Sequence, residues 1–231
     1  YILENNIPCD AYLFQGLMRG ADKIYRLAQE RGKDFYFIDH PYFFRKEYID
    51  DHSYMRFVKN DFSISKITNT DPKKYDYFRK IQPKTFEIKP WQKTGSKIII
   101  LPPSYWLCHT IGLVQKKLLD NTINTIKQFT DREIVVRYKM INGIPNSKSF
   151  DEELKDAHCI VSMQTNAATT AVLKGIPSFT LFDKYSPAVP ISLQDLSKIE
   201  TPLYADNREE WLINLCNHNY TKKEIISGDL F

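Results

Sequence analysis

Short apolar runs recur along the chain and predict buried β-strands. The clearest lie at residues 11–14 (AYLF), 34–38 (DFYFI), 97–101 (KIIIL) and 157–162 (AHCIVS). Residues 133–139 alternate, with Ile134, Val136 and Tyr138 on one side and Val135, Arg137 and Lys139 on the other, as in a strand that has one exposed face. Residues 54–62 (YMRFVKNDF) are also compatible with a strand.

Amphipathic stretches between these runs predict helices. Residues 21–31 carry apolar positions at helical spacing and are followed by Gly32, which can end a helix. Apolar residues between 111 and 129 fit one face of a single helix. Residues 166–174 form a compact Ala-rich segment closed by Gly175, and residues 207–216 and 221–227 also read as helices, the last with the capping box T-K-K-E.

The order of these elements predicts an α/β protein with two Rossmann-like lobes that face a cleft. A strand–Gly loop–helix–strand unit occurs near the N-terminus and again in the second half of the chain. Pro83, Pro90 and Gly95 suit a crossing between the lobes. We therefore expect an N-terminal lobe at residues 1–92, a second lobe at residues 93–231, and C-terminal helices beyond about residue 205 that pack across both.

Composition is that of an ordinary soluble protein and favours the cytoplasm. The 231 residues are 42% hydrophobic and 26% charged, with a formal charge of +4, which permits an anionic partner without requiring one. No apolar run approaches the roughly 18 residues that span a bilayer. The four Cys and five His residues show no metal-ligand spacing, which favours reduced thiols and no metal cofactor. The first residue is Tyr, so we expect a start further upstream, and a targeting segment stays open.

The segment between residues 157 and 190 carries the most specific chemistry. It places a helix N-terminus after a buried strand, where backbone N–H groups and the helix dipole attract anions. The loop supplies the small polar side chains of Ser162, Gln164, Thr165 and Asn166, which suit phosphate or ribose, and Ala167 allows a close approach. A capped helix with no ligand is the alternative interpretation.

Several basic residues are candidates to stabilise a phosphate leaving group. Arg137 and Lys139 lie one strand period apart near the end of a predicted strand, and Arg19 lies in the loop between Gly16 and Gly20. Each of them also fits a solvated surface.

Two residues at the end of the second predicted strand are candidates for proton transfer. Asp39, or His40 beside it, could take the proton from an attacking hydroxyl, whereas a turn-capping Asp is the alternative. Loop positions after the last strand, Pro187, Ala188 and Glu200, are further donor-binding candidates. Glu200 could accept hydrogen bonds from a ribose or form a surface salt bridge.

The run AHCIVSMQTNAATTAVLKGIPSF resembles the donor-binding segment of two-lobed GT-B glycosyltransferases. It is most similar to capsule-polysaccharide and Kdo-type transferases and to glycosyltransferases of phages. The matching residues are Val161-Ser162, Asn166-Ala167-Ala168, and Ala171 followed by Gly175-Ile176-Pro177. Thr170 departs from the pattern, because related sequences often carry Glu there. The chain is also short for a two-lobed enzyme, so the first lobe is expected to be trimmed or to start before residue 1.

The resemblance implies transfer of a sugar from a nucleotide-sugar donor to a hydroxyl, without an obligatory metal. The acceptor would be either DNA that carries hydroxymethylated bases or an oligosaccharide. Residues 42–62, rich in aromatic and basic side chains, suit nucleic acid or ordinary half-buried strands. A non-catalytic nucleotide- or nucleic-acid-binding module on the same fold is the competing hypothesis.

Overall fold

Two four-stranded sheets organise the protein. The computed structural model describes residues 9–18, 20–45, 53–139 and 147–228. The strands are β1 (Ala11–Gln15), β2 (Asp34–Asp39), β3 (Tyr54–Lys59), β4 (Lys97–Leu101), β5 (Glu133–Val136), β6 (Ala157–Ser162), β7 (Ser178–Thr180) and β8 (Asn219–Thr221). The α-helices are α1 (Ala21–Glu30), α2 (Lys73–Ile81), α3 (Tyr105–Thr110), α4 (Gln115–Ile126), α5 (Phe150–Leu154), α6 (Asn166–Leu173), α7 (Arg208–Asn217) and α8 (Lys222–Ser227). Three short 3₁₀ segments lie at Pro83–Phe86, Val189–Ile191 and Leu196–Lys198.

The first sheet has the order β1-β2-β3-β8 and is mixed. β1 and β2 are parallel and are joined through α1, as the sequence predicted. β3 pairs antiparallel with β2, and β8 pairs antiparallel with β3. The prediction of a Rossmann-like first lobe is therefore correct for its first strand–helix–strand unit and wrong for the rest of this sheet.

The second sheet has the order β5-β4-β6-β7 and is entirely parallel. All six residues of β6 are buried, which explains its continuous apolar sequence. Alternate residues of β4 and β6 face two different clusters of the core. Ile99 and Ile160 contact the cluster that includes α6, whereas Ile98 and Val161 face the cluster that includes Ile126 of α4.

The helix predicted between residues 111 and 129 is present as α4, but it is shorter at both ends and a separate helix, α3, precedes it. α3 ends at Thr110 and α4 begins at Gln115, and Gly112 between them has a φ of +75°. Such a conformation favours glycine and cannot continue a right-handed helix. Val114 and Phe129, which the pattern placed on a buried face, are 66% and 42% exposed.

The C-terminal end of α6 docks closely against an extended segment near residue 90. The N–H groups of Lys89 and Gln92 donate to the carbonyls of Leu173 and Gly175, both at 2.8 Å. Gly175 has a φ of +83°, and a Cβ atom there would overlap the Pro90 carbonyl oxygen. Gly175 is therefore required both by its backbone conformation and by this close approach.

The C-terminal segment crosses back to the first sheet. α7 packs against α2, and β8 then adds the fourth strand beside β3. Trp211 of α7 is fully buried and its indole N–H donates to the Pro187 carbonyl at 2.6 Å. The boundary near residue 92 stays a prediction, but residues 219–221 belong to the first sheet by hydrogen bonding.

Membrane-spanning helices and clustered metal ligands are both absent from the described residues. None of the helices that the structure describes has the length and apolar character needed to cross a bilayer. Within residues 9–18, 20–45, 53–139 and 147–228, no three His, Cys, Asp or Glu side chains are grouped in a way that could hold a metal ion. The four cysteines are free thiols, and Cys108, Cys159 and Cys216 are buried.

Candidate functional site

The carboxyl ends of strands from both sheets meet at one place. β1 and β2 end side by side, where the Gly16 N–H donates to the Ile38 carbonyl at 2.9 Å. β6 ends at Ser162 and leads into α6. The side-chain amide of Asn166, the first residue of α6, donates to the carbonyl of Pro41, just after β2, at 2.9 Å. Because α/β proteins bind ligands at the carboxyl ends of parallel strands, this meeting point is the candidate site.

The start of α6 supplies an environment for an anion. The Thr165 hydroxyl accepts a hydrogen bond from the Ala167 N–H at 3.1 Å, and this N-cap fixes the first turn. Remaining N–H groups of that turn and the helix dipole favour negative charge. Before the cap, the Gln164 amide oxygen accepts a long hydrogen bond of 3.5 Å from the hydroxyl of Ser104, which follows β4. The loops after β4 and β6 therefore lie next to each other at this edge.

Asp39 is tied into the end of β2. One carboxylate oxygen accepts from the His40 backbone N–H at 2.8 Å, and the other is 2.7 Å from the guanidinium of Arg56. Arg56 is 5% exposed and lies near the rings of Phe37 and Tyr42, at 5.4 and 5.7 Å. The carboxylate of Asp39 therefore compensates a buried cation and holds the turn that presents His40. It resembles the turn-capping role more closely than that of a free base.

The imidazole of His40 is exposed, and no other described side chain forms a hydrogen bond with it. Partial burial lowers the pKa of His40, as do the positive charges of Arg45, Arg56 and Lys139, while Asp39 acts in the opposite direction. A His with a pKa below its usual 6.5 is neutral near pH 7 and can accept a proton. The charge of Arg56 is compensated by Asp39, whereas the exposed Arg45 and Lys139 favour an anion nearby.

Arg137 lies at the carboxyl end of the second sheet, but its guanidinium is already paired with other groups of the protein. Its backbone N–H donates to the Ile100 carbonyl at 2.9 Å, beside the end of β4. The guanidinium is 2.7 Å from the carboxylate of Glu153, donates to the Lys148 carbonyl at 3.1 Å and lies over the ring of Phe150. Arg137 thus holds α5 against the end of β5. Lys139, two residues further on, is exposed and lies within electrostatic reach of His40.

Glu200 lies at the opposite end of the second sheet. Arg132, just before β5, forms a salt bridge with Glu200 at 2.8 Å, and the Thr130 hydroxyl donates to the same carboxylate. Arg132 also donates to the carbonyl of Gly95, just before β4. These contacts place Glu200 at the amino ends of the strands, away from the candidate site. The salt bridge that the sequence allowed as an alternative is therefore what the structure contains.

Three further predicted residues do not reach the candidate site. Pro187 and Ala188 are buried, with the Pro187 carbonyl held by Trp211, so neither presents surface to a ligand. Ser162 is fully buried at the end of β6, and its hydroxyl has no hydrogen-bond partner among the described residues. Arg19 lies outside the described residues.

Most of the aromatic side chains that the structure describes between residues 42 and 62 belong to the core. Tyr42, Tyr54 and Phe62 are 8% exposed or less, and Arg56 is buried with them. Lys59 is paired with Asp34 at 2.7 Å. The interpretation as a half-buried strand is correct for residues 54–59, which form β3, and the rings of Tyr42, Tyr54 and Phe62 are not available to stack on nucleic-acid bases.

Sequence reasoning missed the Arg56–Asp39 pair and the contact of Ser104 with Gln164. A signal for the first was present, because Arg56 occupies an inward position of β3, between Tyr54 and Val58. A cation at a buried position of an alternating strand needs a compensating carboxylate nearby. The Ser104 contact had no local signal, since it joins loops 60 residues apart.

These features define an α/β protein whose candidate site lies between the carboxyl ends of two sheets. No family model matches the sequence, and comparison with curated proteins found no match. The chain is similar in fold to a solved structure of KpsC from Thermosulfurimonas dismutans, a beta Kdo 2,4 transferase, with a TM-score of 0.51 and 9% identity. That match covers 96% of this chain and 87% of the other.

A second solved structure, described as Thermosulfurimonas dismutans KpsC, beta Kdo 2,7 transferase, aligns with a TM-score of 0.49 and 11% identity. This match covers 99% of the chain and 86% of that structure. At such identities the first likeness establishes a shared fold, and the second is too low to add to it. A shared fold does not fix an activity.

Proposed function

We propose that the protein is a glycosyltransferase that moves a sugar from a nucleotide-sugar donor to a hydroxyl of a saccharide. The observation that carries this proposal is that the carboxyl ends of strands from the two sheets meet at one place. His40, which is exposed and has a lowered pKa, directly follows one of these strands, and the hydrogen bond from Asn166 to the carbonyl of the next residue, Pro41, joins this strand end to the capped N-terminus of α6. A proton acceptor beside an anion-binding helix start is what sugar transfer from an activated donor needs.

The donor phosphate belongs at the start of α6. The N–H groups of its first turn and the dipole stabilise the charge that develops on the leaving phosphate, and Lys139 adds a cation beside it. Gln164 and Asn166 supply amide groups on either side of the N-cap for the ribose or phosphate. Arg137 acts indirectly, by fixing the segment that leads to Lys139.

The reaction is a displacement at the anomeric carbon of the donor. The acceptor hydroxyl oxygen forms the new bond to that carbon while the bond from the carbon to the phosphate oxygen breaks, and the electron pair of that bond leaves with the phosphate. The hydroxyl proton passes to the free ring nitrogen of His40. Asp39 keeps the His40 turn in place through its bond to the His40 N–H.

The fold comparison supports a saccharide acceptor and Kdo as the first sugar to test. The solved structure that shares the fold is described as a Kdo transferase. For DNA, by contrast, the rings that would have stacked on bases are buried at Tyr42, Tyr54 and Phe62. The proposal therefore takes an oligosaccharide as the acceptor.

The test is a transfer assay with a panel of nucleotide-activated sugars that includes activated Kdo, and with Kdo-terminated oligosaccharides as acceptors. We expect transfer, or slow donor hydrolysis without acceptor, from at least one donor. The variant His40→Gln should lower kcat by about 10²- to 10⁴-fold, the usual range for loss of a general base. Lys139→Ala should raise the donor KM.

The matched control for Lys139→Ala is Lys127→Ala, because Lys127 is an exposed lysine just after α4. Lys127→Ala should leave both constants unchanged. Tight binding of a nucleotide sugar with no turnover of any donor would overturn the enzyme and favour the non-catalytic module. Full activity in His40→Gln would overturn the role of the imidazole.

A further inference from the structure

α3 presents an unusual group of exposed rings. Its inward residues Leu107 and Cys108 are buried, whereas Tyr105 and Trp106 are 61% and 47% exposed, and His109 is exposed beside them. We call Tyr105, Trp106 and His109 the aromatic platform. Aromatic residues of this size are ordinarily found in cores or at binding surfaces.

The rings of the aromatic platform support one another. Tyr105 and Trp106 have centroids 5.7 Å apart at 77°, and Tyr105 stacks on His109 at 6.1 Å and 28°. The helix below them is fixed, because the Thr110 hydroxyl donates to the Trp106 carbonyl and Arg26 of α1 donates to the His109 carbonyl, both at 2.9 Å. The platform is thus formed before any ligand arrives, which reduces the entropy lost on binding.

The aromatic platform adjoins the candidate site. It follows directly from Ser104, the N-cap of α3, whose hydroxyl also contacts Gln164 in the loop before α6. β4 and β6 are neighbouring parallel strands, so the platform and the start of α6 leave the sheet at the same edge. A ligand that extends from the anion site along this edge would reach the platform.

The chemistry of the platform suits a sugar ring. One face of a pyranose consists of C–H bonds and packs against aromatic rings, while its hydroxyls need hydrogen-bond partners that an imidazole can provide. The rings lie on an open surface and not in a narrow slot. An open surface fits one unit of an extended saccharide better than the enclosed base of a nucleotide.

We propose that Tyr105, Trp106 and His109 form the acceptor subsite, on which a sugar unit of the oligosaccharide stacks while its reacting hydroxyl faces His40. This inference rests on the proposed function. The three residues position the acceptor and take no part in proton transfer.

The test is acceptor kinetics in the variants Tyr105→Ala and Trp106→Ala, with a Kdo-terminated oligosaccharide as the probe. Each should raise the acceptor KM about tenfold, with kcat at saturating acceptor, donor KM and acceptor-free donor hydrolysis unchanged. Both side chains are exposed, so both variants should fold. Phe129→Ala is the matched control, because Phe129 is an exposed ring (42%) beside Thr130 at the amino end of the sheet, and it should change nothing.

The proposal is overturned if the acceptor KM stays unchanged, or if the donor KM rises instead, which would assign the platform to the nucleotide base. If no donor is turned over, the proposed function fails separately, and saturation-transfer NMR of the same oligosaccharide with the protein alone tests the platform. Saccharide binding that is lost in Trp106→Ala and kept in Phe129→Ala would support it. Binding that survives in Trp106→Ala, or no binding to the unmodified protein, would overturn it.

Discussion

The lowered pKa of His40 has two causes. Partial burial disfavours the charged imidazole, and so do the positive charges of Arg45, Arg56 and Lys139, so the ring stays deprotonated to a lower pH than a free histidine. In our proposal, Asp39 fixes the geometry of the turn, and His40 accepts the proton. Two neighbouring candidates from the sequence therefore have separate roles in our proposal.

We expect the pH profile of kcat/KM to fall on the acid side with an apparent pKa below 6.5. The reason is that protonation of His40 removes the acceptor for the hydroxyl proton. Initial rates between pH 4.5 and 8 measure this, with Arg45→Ala as the comparison, because Arg45 is the cation that lowers the pKa of His40 most. Loss of that cation should move the acid limb to higher pH, and an unmoved limb would contradict the electrostatic explanation.

Asp61 allows a test of how burial changes the pKa of a single carboxyl. Burial raises the pKa of Asp61 to about 6, although the Phe62 N–H and the Ser65 hydroxyl donate to the carboxylate. The folded state therefore binds a proton more readily than the unfolded state, and the free energy of unfolding falls as pH rises from about 4 to about 6.

Asp61→Asn should remove this pH dependence and stabilise the protein by about 1 kcal/mol at pH 7. An amide keeps the acceptor for the Phe62 N–H and carries no charge to bury. Urea unfolding at pH 4.5 and pH 7 measures the difference, with the exposed Asp206→Asn as the control. Equal stability changes at both pH values would argue against a raised pKa for the Asp61 carboxyl.

At the level of elements, the loop from α6 to β7 depends on one glycine. Gly175 needs its positive φ, and its Cα hydrogen faces the Pro90 carbonyl oxygen. Gly112, which separates α3 from α4, also has a positive φ, but a methyl group added there would meet no neighbouring atom within 4 Å. A comparison of alanine substitutions at the two glycines therefore separates the cost of backbone strain from the cost of steric overlap.

Gly175→Ala should lower the free energy of unfolding by more than about 2 kcal/mol, whereas Gly112→Ala should cost about 1 kcal/mol. The first substitution adds a clash with backbone atoms to the strain that both share. Thermal and urea unfolding of the two variants measure this. Equal costs would mean that the segment at Pro90 shifts away without penalty.

Strongly local elements could be predicted from the sequence, and elements set by distant contacts could not. β4, β6 and α6 were predicted because each carries its signals within a few residues. The two strands are apolar runs, and α6 has the Thr165 cap and the closing Gly175 at its ends. The start of α4 was predicted too early because apolar spacing continues back across Gly112. β8 has three residues, and its pairing partner lies more than 160 positions earlier.

The same limit applies to the candidate site. The helix start at α6 is a local motif and was predicted, whereas anion binding there stays a prediction. Placement of Glu200 and Arg137 depends on their partners Arg132 and Glu153, which only the folded chain brings to them. The pairing of Asp39 with Arg56 follows from the register of β2 and β3, where the two residues lie directly opposite each other.

At the scale of the molecule, the hydrophobic core does not divide between the sheets. One cluster joins Phe43 and Phe44 of the N-terminal part to Ile160 and Trp211, and another joins Phe37 to Met163, just after β6. A third cluster, which includes Ile98 and Val161, lies within the second half alone. The two clusters that cross between the halves tie the predicted lobes together.

We therefore expect a single cooperative unfolding transition. Tryptophan fluorescence, to which Trp91, Trp106 and Trp211 contribute, and far-UV circular dichroism should give the same urea midpoint. Trp211→Phe, which removes the bond to the Pro187 carbonyl and keeps a ring, should lower both midpoints together. Two separate transitions in either protein would show that the halves unfold independently.

The late position of β8 in the chain has a consequence during synthesis. On the ribosome, the outer edge of β3 has no partner until residues 219–221 have been made. An unpaired strand edge with aromatic neighbours is prone to associate with other chains. Nascent chains released before that point should therefore aggregate, and C-terminal truncation should reduce solubility far more than the loss of three strand residues would suggest.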